Sequence, residues 1–366
     1  MKIIEIIPTL VSGGGERFAV DMANELSHNN EVILLLFRLD GNLSFYLPQV
    51  SSAVRVVLLQ KHPGFDLSLF FRVNRFIRRE KPDIIHTHLK GILYAFLPEL
   101  SFVRGVHTVH NEPEKEAIDF LSRLVRRFLF RTKRVIPVGI SDESSSSFEH
   151  FYRIEPVTIF NGRNVPSHLD VSDTVRSELD EYKTDRNTVV IIYLARIEKV
   201  KRQLMMAHVA KRLEKEGYNL VVLFIGRDDE QSVVNELRSG MPSCCHILGQ
   251  RQNPLEYLKA AGAYALCSEY EGLPISLIEA LGVGAIPICT PVGGVPNLIK
   301  NGVNGILAEE NNEESFYIAV KKYLDLSPQQ RNNMSSKAFE SYAPFSMTEC
   351  ARHYFDLFTQ VVENKY

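Results

Sequence analysis

The sequence predicts an α/β protein made of two doubly wound parallel-sheet domains, and three observations carry that prediction. Short apolar runs of strand length alternate with amphipathic helical patterns along most of the chain, the mark of parallel sheets covered on both faces. At 366 residues the chain is too long for one ordinary domain and suits two of average size. Glycine turns and charged motifs fall where strands end and helices begin, which is where such sheets bind ligands.

Composition narrows the class. Hydrophobic residues at 45% and charged residues at 23% describe a soluble globular chain, and a formal charge of −2 gives no overall sign of a nucleic-acid partner. Charge is uneven: residues 1–165 carry 21 Lys and Arg against 18 Asp and Glu, and the remainder carries 21 against 26, so the halves stand near +3 and −5. Five cysteines without a C-x-x-C pair imply a reduced, cytoplasmic setting. The N-terminus has Glu5 inside its apolar run and no signal-peptide cleavage pattern. No stretch approaches a spanning helix.

In chain order, Lys2 to Leu10 reads as a buried strand, Val11 to Gly15 as a glycine-rich turn, and Glu16 to Ser27 as a helix with Phe18, Val20, Met22, Ala23 and Leu26 on its apolar face. Strand, glycine turn, helix is a phosphate-binding geometry. The spacing is not G-x-G-x-x-G, which counts against a nicotinamide-dependent dehydrogenase. Further strands are predicted at Glu31 to Phe37, Val54 to Leu59, Pro82 to His86, Phe102 to Val109, Arg134 to Gly139 and Val157 to Phe160. A loop from Asn161 to Asp170 closes the first domain, so the domains are predicted as 1–165 and 166–345, followed by a helical segment, 346–366. Second-domain strands are predicted at Thr188 to Leu194, Leu220 to Ile225, Cys245 to Leu248, Ala263 to Leu266 and Ile286 to Cys289. Met347 to Glu363 is an amphipathic helix with Tyr354, Phe355, Leu357, Phe358 and Val361 available for packing.

The most informative stretch is Ser268 to Pro296, SEYEGLPISLIEALGVGAIPICTPVGGVP. A strand ends near Cys267, a tight loop carries Glu271 at its tip, and a helix is predicted from Pro274, with Glu279 early in it. The amides of Ile275 and Ser276 at that helix start suit a diphosphate, and the two carboxylates suit sugar hydroxyls. The alternative is an exposed loop glutamate and a carboxylate that merely favours the helix's first turn. In A-R-I-E-K-V-K-R, Ala195 to Arg202, the cations Arg196 and Lys201 suit a diphosphate clamp; solvated charges at a helix start are the other reading. His86 and His88, and His107 and His110, cluster as H-T-H and H-T-V-H, but no carboxylate stands at a recognisable spacing, so no metal site is expected.

The run E-G-L-P-I-S-L-I-E-A-L-G-V-G-A-I-P followed by T-P-V-G-G-V-P resembles the signature of the retaining glycosyltransferases of family 4. The resemblance implies the GT-B fold, two Rossmann-like domains facing a cleft with a C-terminal helix crossing back to the N-terminal domain. It assigns Glu271 to hydroxyls of the donor sugar and Glu279 to the ribose, and it places Gly272, Leu273, Ile275 and Ser276 at the donor. Gly14 and Gly15 inherit an approach to the donor diphosphate from the G-G-x-E-R turn. Arg196 and Lys201 match G-R-x-x-x-x-K, with Ala195 in place of the usual glycine. His110 takes the place of a histidine close to the reacting sugar carbon, which makes His110 and Glu271 the catalytic candidates. Ser141 and Asp142 match a V-S-D segment, and Ser141 also reads as a helix N-cap. Asn161-Gly162-Arg163-Asn164 departs from N-G-I-D at Arg163. Gln250 and Arg251 fall where the family binds the base.

The function expected from this resemblance is transfer of a hexose or N-acetylhexosamine from a UDP-sugar to a glycan or lipid-linked glycan in surface polysaccharide synthesis, without a cofactor or metal. A nucleotide-sugar epimerase and a non-catalytic sugar-binding protein are the rival readings. Leu121 to Arg134 holds six basic residues and no acidic one among apolar positions, and Arg72, Arg75, Arg78 and Arg79 lie in the same half. This pattern suits peripheral attachment to an anionic membrane surface on the cytoplasmic side; a core helix with a solvated basic face is the alternative.

Overall fold

The computed structural model describes residues 1–39, 41–62, 66–95, 103–110 and 120–363, apart from the side chains at 42, 43 and 121. The chain falls into two compact units, Met1–Asn164 together with the segment from Phe345, and Val165–Pro344. Phe102, where a strand is predicted to begin, lies outside the described residues.

The first unit runs β1 (Lys2–Ile7), α1 (Gly14–Leu26), β2 (Glu31–Leu36), β3 (Arg55–Leu58), α2 (Leu67–Glu80), β4 (Ile84–His88), α3 (Gly91–Ala95), β5 (Gly105–Val109), α4 (Phe120–Arg131), β6 (Val135–Gly139), α5 (Asp142–Tyr152) and β7 (Val157–Thr158). Its strands form a sheet of order β3-β2-β1-β4-β5-β6-β7, with parallel pairing throughout. Side chains alternate across a strand. Ile3 and Ile7 therefore pack with Phe18 and Met22 of α1 on one face, and Ile4 and Ile6 pack with the layer of Val73, Phe76, Leu129 and Phe130 from α2 and α4 on the other. Glu5 shares the face of Ile3 and Ile7.

Local signals set the helix ends. Asp66 caps α2 by accepting from the Leu69 amide, and Lys81 closes it in the left-handed region with φ +48. Ser141 caps α5 in a reciprocal capping box with Ser144, so the predicted N-cap role is met.

The second unit runs α6 (Asp173–Tyr182), β8 (Val189–Leu194), α7 (Gln203–Lys215), β9 (Leu220–Ile225), α8 (Gln231–Gly240), β10 (Cys245–Gly249), α9 (Pro254–Ala261), β11 (Ala263–Leu266), α10 (Ile275–Gly282), β12 (Ile286–Cys289), α11 (Val295–Leu298), β13 (Ile306–Leu307), α12 (Glu313–Leu324) and α13 (Pro328–Ser341). Its parallel sheet has the order β10-β9-β8-β11-β12-β13. The order reverses at β8 and β11, a topological switch point, and both strands end in the charged motifs. β13 carries no predicted strand because two residues give no periodicity to read.

The last helix, α14 (Met347–Val362), belongs to the first unit, where Met347, Cys350, Tyr354, Leu357 and Phe358 join the core face of α1. The departing and returning segments are stitched together: Arg163 N–H donates to Phe345 O at 3.0 Å and Met347 N–H to Arg163 O at 3.2 Å. Gly162 allows the close approach, since a Cβ there would stand 2.5 Å from Cys350 Cβ. Arg163 is buried and donates to Asp21 Oδ2 of α1 at 2.8 Å. The departure from an apolar residue at 163 is thus an ion pair that ties this segment to α1.

Candidate active site

The second unit gathers its charged motifs at the carboxyl ends of β8 and β11. Lys201 ends a short 3-10 turn, Lys199–Lys201, whose carbonyl is gripped by the buried Tyr193 hydroxyl of β8, and the same hydroxyl accepts from the Cys267 amide at 3.1 Å after β11. Glu269 N–H donates to Val200 O at 2.8 Å, so the loops after the two strands are joined by backbone as well. Gln203, wholly buried, donates to Arg196 O at 2.7 Å and closes the β8 loop on itself.

On this frame Lys201 Nζ donates to both carboxylate oxygens of Glu271, at 2.8 and 2.9 Å, and Ser268 Oγ donates to Glu271 Oε1 at 2.6 Å. Glu271 is 8% exposed, which rules out the exposed-loop reading. The loop after β12 braces it from below. Gly293 has φ +56, and a Cβ there would lie 1.8 Å from Glu271 O, so only glycine fits. Gly294 N–H donates to Gly272 O at 2.6 Å. That is the structural use of the T-P-V-G-G run.

Pro274 is the N-cap of α10 and not its first residue, because its ψ of 118 is extended. Glu279 consequently sits in the second turn, buried, and the first-turn electrostatic reading fails. The first backbone bonds at this end run from Leu277 and Ile278 to Pro274 O. The amides of Ile275 and Ser276 therefore head the helix, as an anion site requires. Ser276 Oγ is hydrogen-bonded to Tyr264 OH at 2.8 Å, which fixes its rotamer.

Two predicted donor residues are held elsewhere. Arg196 donates to Asp229 Oδ2 at 3.0 Å and pairs with Glu198 at 3.1 Å, with its side chain 43% exposed. Arg251 pairs with Glu178 at 2.6 Å and touches Tyr257 OH at 3.2 Å, a network between α6 and α9. Neither is in the Lys201–Glu271 cluster. A cavity of about 630 Å³ opens at the amino ends of β8, β9, β11 and β12, opposite the motif end, and holds none of these groups.

In the first unit, His110 follows β5 and is half-buried. A Cβ on Gly15 would lie 3.4 Å from its ring, so the glycine turn opening α1 covers His110. Behind it runs a polar chain that the sequence reading does not assemble. His110 Nε2 meets His88 Nδ1 at 3.1 Å, His88 Nε2 meets Glu5 Oε2 at 2.8 Å, and His86 Nδ1 meets Glu5 Oε1 at 3.0 Å. His86 Nε2 meets Thr108 Oγ1 at 2.8 Å, which meets Tyr354 OH at 2.7 Å. Glu5, His86, His88 and Thr108 have no exposed surface. Burial alone would push the Glu5 carboxyl up, but His86 and His88 outweigh it and hold it at about 2. Burial, aided by His86, pulls His88 down to about 4, and burial with His88 and His107 puts His110 well below the ordinary histidine value. The ligating atoms of Glu5, His86 and His88 lie within 4.8 Å of one another, so the structure does bring a carboxylate to these histidines. Each contact is a satisfied hydrogen bond. The available signal was the one carboxylate in an apolar first strand, which the sheet pairs in register with His86.

His107 points to the opposite face, between the Thr87 hydroxyl at 2.9 Å and Arg126 at 3.2 Å. Arg126 is 2% exposed, so it is a core residue and not part of a solvated basic face. Arg123, Arg127 and Arg131 remain exposed, beside the exposed stripe Phe120, Leu124 and Phe128.

Two Rossmann-like units in one chain, each with a parallel sheet covered on both faces, are the GT-B fold. Solved structures share that fold: the Anabaena HepE structure with UDP and glucose has a TM-score of 0.81 at 19% identity, covering 98% of this chain and 99% of that one. The lipopolysaccharide glycosyltransferase WaaG has a TM-score of 0.73 at 15% identity, covering 98% and 99%. Residues 12–195 match Glycosyltransferase Family 4, and residues 175–341 match Glycosyl transferases group 1. The chain belongs to glycosyltransferase family 4 and is a glycosyltransferase. Its relatives include the Escherichia coli UDP-Gal:alpha-D-GlcNAc-diphosphoundecaprenol alpha-1,3-galactosyltransferase, 25% identical over 344 residues, 88% of this chain and 87% of the relative. A Campylobacter jejuni alpha-1,4-N-acetyl-D-galactosaminyltransferase acting on a diNAcBac-PP-undecaprenol glycan is 27% identical over 343 residues, 89% and 88%.

Proposed function

We propose that this enzyme moves a hexose or N-acetylhexosamine from a UDP-sugar, with retention of configuration, to a lipid-linked glycan acceptor. The observation that carries the reading is the Lys201–Glu271–Ser268 cluster beside the head of α10. It sets a cation and helix amides for a diphosphate next to a carboxylate for sugar hydroxyls.

In this reading Lys201 and the amides of Ile275 and Ser276 neutralise charge that grows on the departing diphosphate, where preorganised donors act most strongly. Arg196 joins them by exchanging its solvated partners for phosphate oxygen. Glu271 orients the sugar and Glu279 the ribose, and Gly14, Gly15 and His110 keep the donor roles that the family resemblance implies. The acceptor oxygen bonds to the anomeric carbon on the face that the diphosphate leaves, the anomeric C–O bond breaks, and the acceptor proton passes to the leaving phosphate oxygen. Two cations and the helix amides make a divalent metal unnecessary.

The names of the E. coli and C. jejuni relatives, both acting on diphosphoundecaprenol-linked sugars, support a lipid-linked acceptor. So does the surface of α2 and α4, which expose Leu67, Phe71, Phe120, Leu124 and Phe128 beside Arg75, Arg78, Arg79, Arg123, Arg127 and Arg131. No helix among the described residues is long and apolar enough to cross a membrane, so attachment through this surface is peripheral.

The test is a panel of UDP-sugars with a diphosphoundecaprenol-linked sugar, followed by UDP release and by the anomeric configuration of the product. One UDP-sugar turned over to an α-linked product from an α-linked donor, in the presence of a chelator, is expected. An inverted product, an epimerised donor without transfer, or dependence on magnesium or manganese contradicts the corresponding part.

A further inference from the structure

We infer that Glu5 and His88 are positioning residues that fix which ring nitrogen of His110 carries its proton. The inference rests on the reading of His110 as the ring beside the reacting sugar carbon.

The direction of the hydrogen bonds from Glu5 to His110 follows from the one group in the buried chain that can only accept. Glu5 has no exposed surface and keeps its charge, and a carboxylate offers no proton. His88 must therefore donate from Nε2, across 2.8 Å. A neutral His88 then has its lone pair on Nδ1, and the contact at 3.1 Å obliges His110 to donate from Nε2. The acceptor nitrogen of His110 is consequently Nδ1. On the other branch His86 donates to Glu5 from Nδ1, while its Nε2 meets the Thr108 hydroxyl, which meets Tyr354 OH. Both branches run to Glu5 without a conflict.

A carboxylate in the middle of an apolar sheet is costly unless it is fully paired. Here the chain leads from β1 through β4 to the first residue after β5, under the glycine turn of α1. Phe18 stands edge-on to both His88 and His110, with ring centroids 5.9 and 5.4 Å away, and holds the two ring planes. Nδ1 of His110 is thus set as an acceptor for a donor hydroxyl, and its proton cannot move there while Glu5 is ionised.

Long-range proton–nitrogen correlation spectra of the wild-type protein read the tautomers directly. Protons on Nε2 of His88 and His110 and on Nδ1 of His86 are expected; a His110 protonated on Nδ1 overturns the inference without any variant. Glu5→Gln keeps the shape but puts an amide that can donate in place of one carboxylate oxygen, so the acceptor-only group that fixes both rings is lost. It is expected to shift the His110 proton to Nδ1 in part of the population. It should also lower kcat for UDP release at least about tenfold, leaving UDP affinity within about twofold, as loss of an orienting partner does. Thr108→Val cuts only the His86 branch and is expected to keep the His110 tautomer and kcat; a role in packing alone makes the two variants alike. Glu5→Gln with wild-type kcat, while His110→Ala loses turnover, overturns the positioning role and leaves His110 in place. His110→Ala with wild-type kcat removes the reading beneath it.

Discussion

At the scale of single residues, the two glutamates of the family signature occupy different surroundings and so predict different defects. Glu271 is already bonded to Lys201 and Ser268 at the mouth of the sheet, whereas Glu279 lies one turn deeper in α10. Glu279→Ala is expected to weaken UDP binding by about tenfold, the order of 1.4 kcal/mol for a lost hydrogen bond to a charged group. Glu271→Ala should leave UDP binding within about threefold and reduce kcat by at least about a hundredfold. Calorimetry with UDP beside steady-state UDP release separates the two, and equal losses of UDP affinity would contradict the division of roles. Sequence spacing picks out both glutamates, because each stands in a local motif. The partners of Glu271 are less legible: Ser268 is three residues away, but Gly293 is distant in sequence and its φ of +56 is visible only in the folded chain. Arg251 shows the converse, a motif position whose side chain goes to Glu178 because α6 passes beside it.

At the scale of elements, α4 is the clearest case of a pattern read as a basic helix in which one of the basic residues belongs to the core. Six basic residues suggest a continuous charged stripe, yet a 3.6-residue period sends Arg126 inward with Leu129 and Phe130, where His107 and the Leu89 carbonyl receive it. What remains outside is an apolar row, Phe120, Leu124 and Phe128, flanked by Arg123, Arg127 and Arg131. This arrangement suits a lipid surface better than a purely basic stripe. Each basic residue near an anionic surface contributes about 1 kcal/mol. Arg123→Ser with Arg127→Ser and Arg131→Ser is expected to weaken co-sedimentation with vesicles containing anionic lipid at low salt. Phe120→Ser with Phe128→Ser should weaken the part of binding that survives high salt. Wild type that ignores such vesicles would leave a soluble acceptor as the better account. Arg126 is omitted from these variants, since its loss breaks the core and not the surface.

At the scale of the whole molecule, alternating strands and helices are enough to announce two parallel sheets, because each buried strand carries its own apolar run. The return of α14 to the first unit leaves a weaker trace, an amphipathic pattern with no address; Gly162, Arg163 and Asp21 supply the address in the structure. The buried chain from Tyr354 to His110 is harder still to read, since its bonded partners stand up to 246 positions apart and meet only through strand register and the packing of α14. The central claim is that the switch point of the second unit binds the diphosphate of a UDP-sugar through Lys201. Titration of UDP into the wild-type enzyme and into Lys201→Ala, by calorimetry without divalent metal, tests it most directly. The account predicts binding by the wild type and an affinity at least about tenfold weaker in the variant, the cost of one charge-assisted contact to phosphate. Equal affinity in the two proteins, or no binding of UDP by the wild type, would contradict it.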